Sequence, residues 1–146
     1  MNQLRAYIDG WRRHDIPAVL ATLTDDCVVI EFYGPVYRGK QRVEEWMNAW
    51  FDLGGSVDGW EITSEVVADA TLVAEWHFEC TWKGDVGAFD GSTVARLEDG
   101  RISYLREYAT PRRSTTGPAP GPSRLAGDCD WRGWSTTGLA FQALRR

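Results

Sequence analysis

The sequence predicts an α+β domain, helices first and a sheet after, and three observations carry that reading. Apolar residues recur at helical spacing early in the chain, in Leu4, Tyr7, Ile8 and Trp11 and again in Val43, Trp46, Met47 and Trp50. Later the period changes to two. Leu72, Ala74, Trp76, Phe78, Cys80 and Trp82 take one face of a strand, and Val73, Glu75, His77, Glu79 and Thr81 take the other. The segment FDGSTVARLEDGRISYLREYATP, Phe89 to Pro111, then reads as two strands joined by a tight turn at Glu98-Asp99-Gly100-Arg101.

Taken in order, residues 3–13 form an amphipathic helix. Asp15 is placed to cap a short second helix with Pro17 in its first turn and Ile16, Val19, Leu20 and Leu23 buried, and Thr24-Asp25-Asp26 breaks it. Cys27 to Tyr33 reads as a strand, and Gly34-Pro35 and Gly39 bracket a loop or hairpin. A third helix spans roughly residues 40–53 and stops at Gly54-Gly55. Trp60 to Ala68 and Thr71 to Trp82 are long strands meeting at Asp69-Ala70. Residues 1–111 thus make one domain. Residues 112–146 are a Pro/Gly-rich linker, PRRSTTGPAPGPS, and a tail whose Trp131 and Trp134 are candidates to dock on it.

Composition removes several function classes. A net charge of −5 argues against nucleic acid, which needs a basic patch to neutralise phosphates. Three separated Cys and two His give neither a disulfide framework nor metal-ligand spacing, so no metal is expected, and a reducing, cytoplasmic compartment follows. The stretch MNQLRAYIDGWRRH has no apolar signal core and is too polar to span a membrane, so no membrane partner is expected. Eight Trp is unusual for 146 residues; such rings fill a core or line a cavity for an apolar ligand.

The element order, together with YGPVYRG before the third helix and LEDGRISYLREYATP at the end, resembles the SnoaL-like members of the nuclear-transport-factor-two-like superfamily, over residues 1–111. The resemblance implies a cone: a curved mixed or antiparallel sheet wrapped around three N-terminal helices, with a deep apolar pocket. It also implies a homodimer and cofactor-independent chemistry. Along the ketosteroid isomerase pattern, VIEFYG places the catalytic carboxylate on Glu31 and the oxyanion tyrosine on Tyr7, while Asp90 is displaced from the second acid's place, where Thr93 sits. Along the limonene epoxide hydrolase pattern, ISYLREY places a water-activating carboxylate on Glu107, but Trp76 and Phe78 stand where an Arg and an Asp are needed.

Alternation alone buries Ile102, Tyr104 and Tyr108 and sends Glu107 outward; the resemblance turns Leu105, Glu107 and Ala109 inward, and a shift of one residue separates the two. With Glu107 inward, the candidate catalytic residues are Glu31, Glu107 and Tyr7. The candidate substrate-binding residues are Tyr33, Trp46, Trp50, Trp60, Trp76, Phe78 and Asp90. His77, flanked by Glu75 and Glu79, belongs on the opposite face as part of a polar ladder or subunit interface. The expected function is acid/base isomerisation, cyclisation, dehydration or hydrolysis of a small hydrophobic, polyketide- or terpenoid-like metabolite. The rivals are a binding module that uses the same pocket without chemistry, and an interaction domain.

Overall fold

Helix α1 (Gln3–Arg12) begins where the Asn2 side chain accepts from the Arg5 backbone N–H, satisfying one of the donors that every helix start leaves open. Its apolar stripe turns inward, with Leu4, Tyr7, Ile8 and Trp11 all buried. Each Leu or Ile buried this way contributes roughly 1.5–3 kcal/mol. Asp15 caps α2 (Ile16–Ala21) by accepting from the Ala18 N–H, and Pro17 sits in the first turn, where a missing N–H leaves no bond unmade. In α3 (Lys40–Asp52) the buried side is Val43, Met47 and Phe51. These assignments come from a computed structural model, which describes residues 2–110. The linker and tail expected at 112–146 lie outside the described residues.

The strands are β1 (Leu23–Ile30), β2 (Val36–Arg38), β3 (Ser56–Ala68), β4 (Thr71–Trp82), β5 (Asp85–Glu98) and β6 (Arg101–Ala109). They form one six-stranded, curved and unclosed sheet in the order β2-β1-β6-β5-β4-β3. All neighbours are antiparallel except β1 and β6, which run parallel. The helices fill the concave face, where they bury Val29, Leu72, Ala74, Trp76, Ala95 and Leu105 of the sheet. This is the cone that the resemblance implied. Among the described residues no helix is long and apolar enough to cross a membrane.

Three boundaries differ from the sequence reading, each for a local reason. Leu23 already belongs to β1, and Thr24-Asp25-Asp26 is an irregularity inside that strand, because β1 meets β6 at Leu23↔Ile102 and next at Val28↔Tyr104. Asp25 and Asp26 are exposed there, and Lys40 Nζ lies 3.0 Å from Asp25. β3 starts at Ser56 rather than Trp60. β5 starts at Asp85 rather than Phe89, because Lys83-Gly84 forms a second two-residue turn. Its φ values of 51° and 89° match the 48° and 75° of Asp99-Gly100, the positive pair that suits the twist of a hairpin.

A bulge settles the orientation of β6. Leu97 pairs with Ile102 and Arg96 with Tyr104, so Ser103 has no residue opposite it. The extra residue reverses the alternation once. Ile102 is therefore buried before the bulge and Leu105 after it, and Glu107 follows Leu105 on the inner face. The burial of Tyr104 and Tyr108 with Ile102 that alternation alone would give, the reading not adopted above, does not occur. Tyr108 is 46% exposed, and Arg96 and Arg106 lay their guanidinium groups over the Tyr104 and Tyr108 rings.

Candidate active site

Glu31 and Glu107 come together because their strands are parallel neighbours. Val29 of β1 and Leu105 of β6 are register partners, and both are fully buried. Side chains alternate along a strand, so two residues further on Glu31 and Glu107 reach the same inner face side by side. A short turn holds the chain after β1, the Glu31 N–H donating to Pro35 O and the Gly34 N–H to Glu31 O, each at 3.0 Å.

The two carboxyl groups face one aromatic cavity. Trp60, Trp76, Phe78 and Phe89 form its sheet side, and Trp11, Trp46 and Trp50 its helix side. Phe32 and Val57 complete it, so eight aromatic residues, two Glu and one Val make up the wall. Counting the open solvent at its mouth, the space between atoms in the cavity is about 490 Å³. The rings meet mostly edge-to-face, as in Trp60 against Trp76 and Phe78 with centroids 5.6 and 5.1 Å apart. Trp76 is fixed further by its indole N–H, which donates to Thr93 Oγ1 at 2.9 Å. Gly91, its partner on β5, leaves room for that ring: a methyl group there would collide with Trp76 and with the Tyr108 carbonyl.

The two carboxyls sit in different surroundings. Glu31 is 7% exposed, and its Oε1 accepts from Tyr37 Oη at 2.6 Å and from Tyr33 Oη at 3.2 Å. Burial pushes its pKa up to about 7, against the pull of those two phenols, which favour the anion. Glu107 accepts no hydrogen bond from any described residue, and the surface it retains faces the cavity. Burial, and then the neighbouring Glu31 charge, push its pKa up to about 8. The same burial, together with the acidic neighbours, pushes the Tyr33 and Tyr37 hydroxyls above the usual phenol range, so both stay protonated donors. The Glu107 value thus carries the effect of its neighbour's charge as well as its own burial.

Of the residues singled out in the sequence, the cavity wall contains Glu31, Glu107, Trp46, Trp50, Trp60, Trp76 and Phe78. Tyr33 sits beside them as a donor to Glu31. Tyr7 lies one layer back, fully buried and edge-on to Trp11 and Trp60, with centroids 6.4 and 6.3 Å away. Burial comes first and the Glu107 charge second in raising its pKa; the Trp11 indole offers its oxygen some relief but no well-formed hydrogen bond. Asp90 is not at the cavity. It pairs with His77 across β4 and β5 on the outer face, where His77 Nδ1 lies 2.7 Å from its carboxylate and His77 Nε2 lies 3.3 Å from that of Glu79. The physical reason is parity: Phe89 and Gly91 face inward opposite Phe78 and Trp76, so Asp90 between them faces out. Among the described residues no three His, Cys, Asp or Glu are grouped to hold a metal ion.

The sequence reading missed Tyr37, whose hydroxyl makes the shorter bond to Glu31 and whose ring stacks on Trp46 at 4.4 Å. A signal for it existed. Tyr33 and Tyr37 flank the Gly34-Pro35 turn, and a hairpin there brings the second tyrosine back beside Val29, its register partner. Trp11, Phe32, Val57 and Phe89 were also not singled out as wall residues, because their place in the cavity depends on contacts between distant elements.

No curated protein matches this chain. Solved structures do. An LEH-like epoxide hydrolase of M. tuberculosis is similar at 21% identity and TM-score 0.66, over 74% of this chain and 80% of its own. A ketosteroid-isomerase-like protein from Catenulispora acidiphila, solved with trimethylamine, gives 17% and 0.66 over 73% and 83%. A candidate polyketide cyclase from Xanthomonas campestris pv. campestris gives 18% and 0.63 over 73% and 86%. At these identities the likeness is one of fold. The family model for the SnoaL-like domain matches residues 4–105, most of the chain, and the protein belongs to that family.

Proposed function

We propose that this chain is an acid/base enzyme acting on a small hydrophobic molecule, with Glu31 as general base and Glu107 as general acid. The observation that supports this is the asymmetry of the buried pair. Two phenols donate to Glu31 and none to Glu107, so near neutral pH the proton they share resides on Glu107. A base takes a proton best when its pKa lies close to the working pH, and both groups fall in that range. In one turnover Glu31 would take a proton from the substrate or from a bound water while Glu107 gives one to a substrate oxygen. Exchange between the neighbouring groups or with solvent then restores the starting state. Isomerisation, cyclisation, dehydration and hydrolysis all use such a pair, and the apolar walls suit a polyketide- or terpenoid-like substrate.

The test is a turnover screen of hydrophobic ketones, epoxides and hydroxy compounds. On any substrate found, Glu31→Gln and Glu107→Gln should each lower turnover by on the order of a hundredfold with the fold retained. The double variant should lose little more than either alone, because the two act as one unit. Turnover that survives both substitutions sinks the assignment. Ligand binding without turnover by the wild type would leave a binding protein that uses the same cavity, a reading favoured by the largely aromatic wall.

A further inference from the structure

Glu31 and Glu107 share a cavity that supplies no counter-charge. No Lys, Arg or His of the described residues lines it, and no cation contributes to the pKa of either carboxyl. Acids with ion-pair partners, such as Glu65 with Arg5, Asp25 with Lys40 and Glu45 with Arg42, lie at the surface instead. With one proton held on Glu107, the pair keeps one negative charge, and the two phenols that donate to Glu31 are neutral. A buried charge with only neutral partners is costly, and a cation brought beside it offsets that cost. Glu107 is open to such a partner: its carboxyl accepts no hydrogen bond, yet it is not among the buried groups sealed from contact, and it lines the cavity. The rest of the wall is suited to a cation as well. Five of its rings are Trp, whose face attracts a cation more strongly than that of Tyr or Phe. Neighbouring rings stand close to right angles, 76° for Trp60 with Trp76, 87° for Trp60 with Phe78 and 83° for Trp11 with Trp50. The wall thus presents ring planes in several orientations, the arrangement of an aromatic cage.

We propose that the molecule this cavity takes is a hydrophobic ammonium compound, its cationic nitrogen beside Glu31 and Glu107 among the Trp rings and its apolar body against the remaining aromatic wall. This rests on the reading of the cavity as a substrate site. One monocation matches the single negative charge of the pair, so Glu107 keeps its proton and the acid/base roles are undisturbed. An uncharged hydrocarbon fills the same apolar space but leaves that charge unanswered. The net charge of −5 favours the approach of a cation to the protein as a whole. The other titratable groups on the elements around the pair are Tyr7 of α1, Cys27 of β1, Tyr33, and Tyr37 of β2. Burial pushes each of them above its ordinary range, so all four stay uncharged near neutral pH. Affinity for a permanent cation therefore follows the ionisation of the two carboxyls, which are protonated at pH 5 and ionise as pH rises through about 7 and about 8.

The experiment uses the full chain and two probes of the same shape, phenyltrimethylammonium and its uncharged carbon isostere tert-butylbenzene, with binding read by tryptophan fluorescence. Between pH 5 and pH 8 the wild type should gain on the order of tenfold in affinity for phenyltrimethylammonium and gain none for tert-butylbenzene. The double variant Glu31→Gln, Glu107→Gln keeps the shape of both side chains and removes their charge. It should lose the pH-dependent gain, bind the cation at pH 8 on the order of tenfold more weakly than the wild type, and hold tert-butylbenzene as before. Affinity for the cation that is flat with pH, an equal gain for both probes, or a gain that survives in the double variant would overturn the ammonium assignment. So would binding of tert-butylbenzene without any binding of the cation. Each of these results leaves the cavity as a site for uncharged molecules and the acid/base reading intact. Failure of both probes to bind the wild type would overturn the assignment together with the reading of the cavity as a substrate site.

Discussion

Replacing Glu107 by Gln should make the protein more stable, and increasingly so as pH rises. The folded-state pKa of Glu107 lies near 8, above its ordinary value of 4.5, and burial is the main cause. A group raised in this way binds its proton more tightly in the folded state. Its contribution to stability is therefore complete below about pH 4.5 and is lost as pH rises through about 8. The difference of about 3.5 pKa units, at about 1.4 kcal/mol each, limits the full effect to about 5 kcal/mol. Between pH 5 and pH 9, integration of the linkage relation gives about 4 kcal/mol. Gln has the shape of the protonated acid and cannot ionise, so the variant escapes this loss while every other titrating group remains common to both proteins. Urea unfolding of wild type and variant at pH 5 and pH 9, followed by tryptophan fluorescence, reads the difference directly. The variant's advantage should grow by about 4 kcal/mol over that span. Stabilities that move in parallel would show that Glu107 titrates like a surface carboxylate, and the acid/base reading would fall with it.

Two further outcomes follow from single contacts. Tyr37→Phe removes the 2.6 Å bond that favours the Glu31 anion, so the Glu31 pKa should rise above about 7, by on the order of one unit in a carboxyl-carbon NMR titration. Tyr33→Phe, which removes the 3.2 Å bond, should move it less; no movement in either variant would contradict the assigned network. Thr93→Val keeps the shape of the fully buried Thr93 and leaves the Trp76 indole N–H unpaired, which should cost about 1–3 kcal/mol in urea unfolding. An unchanged midpoint would mean that this N–H finds another partner.

The sequence by itself determined what local forces control. Helical spacing of apolar residues located α1 and α3, Asp15 and Pro17 marked the start of α2, and strict alternation set which side of β4 faces the core. Those signals are short-range: a cap reads three residues ahead, and strand alternation reads two. Glu31 and Glu107 stood out in the sequence only along the patterns of two different relatives, and nothing local joined them. Only the tertiary structure brought them together, through a parallel pairing of β1 with β6 across most of the chain, which leaves no local trace. The bulge at Ser103 had the same character. Ser103 is unremarkable in the sequence, yet the pairing of β6 with β5 makes it the extra residue that turns Glu107 inward. Asp90 failed as a cavity residue because parity, fixed by its neighbours Phe89 and Gly91, outranks proximity along the chain. Burial is likewise a property of the whole fold. The packing of α1 and α3 against the sheet takes both carboxyls out of bulk water and raises their pKa values.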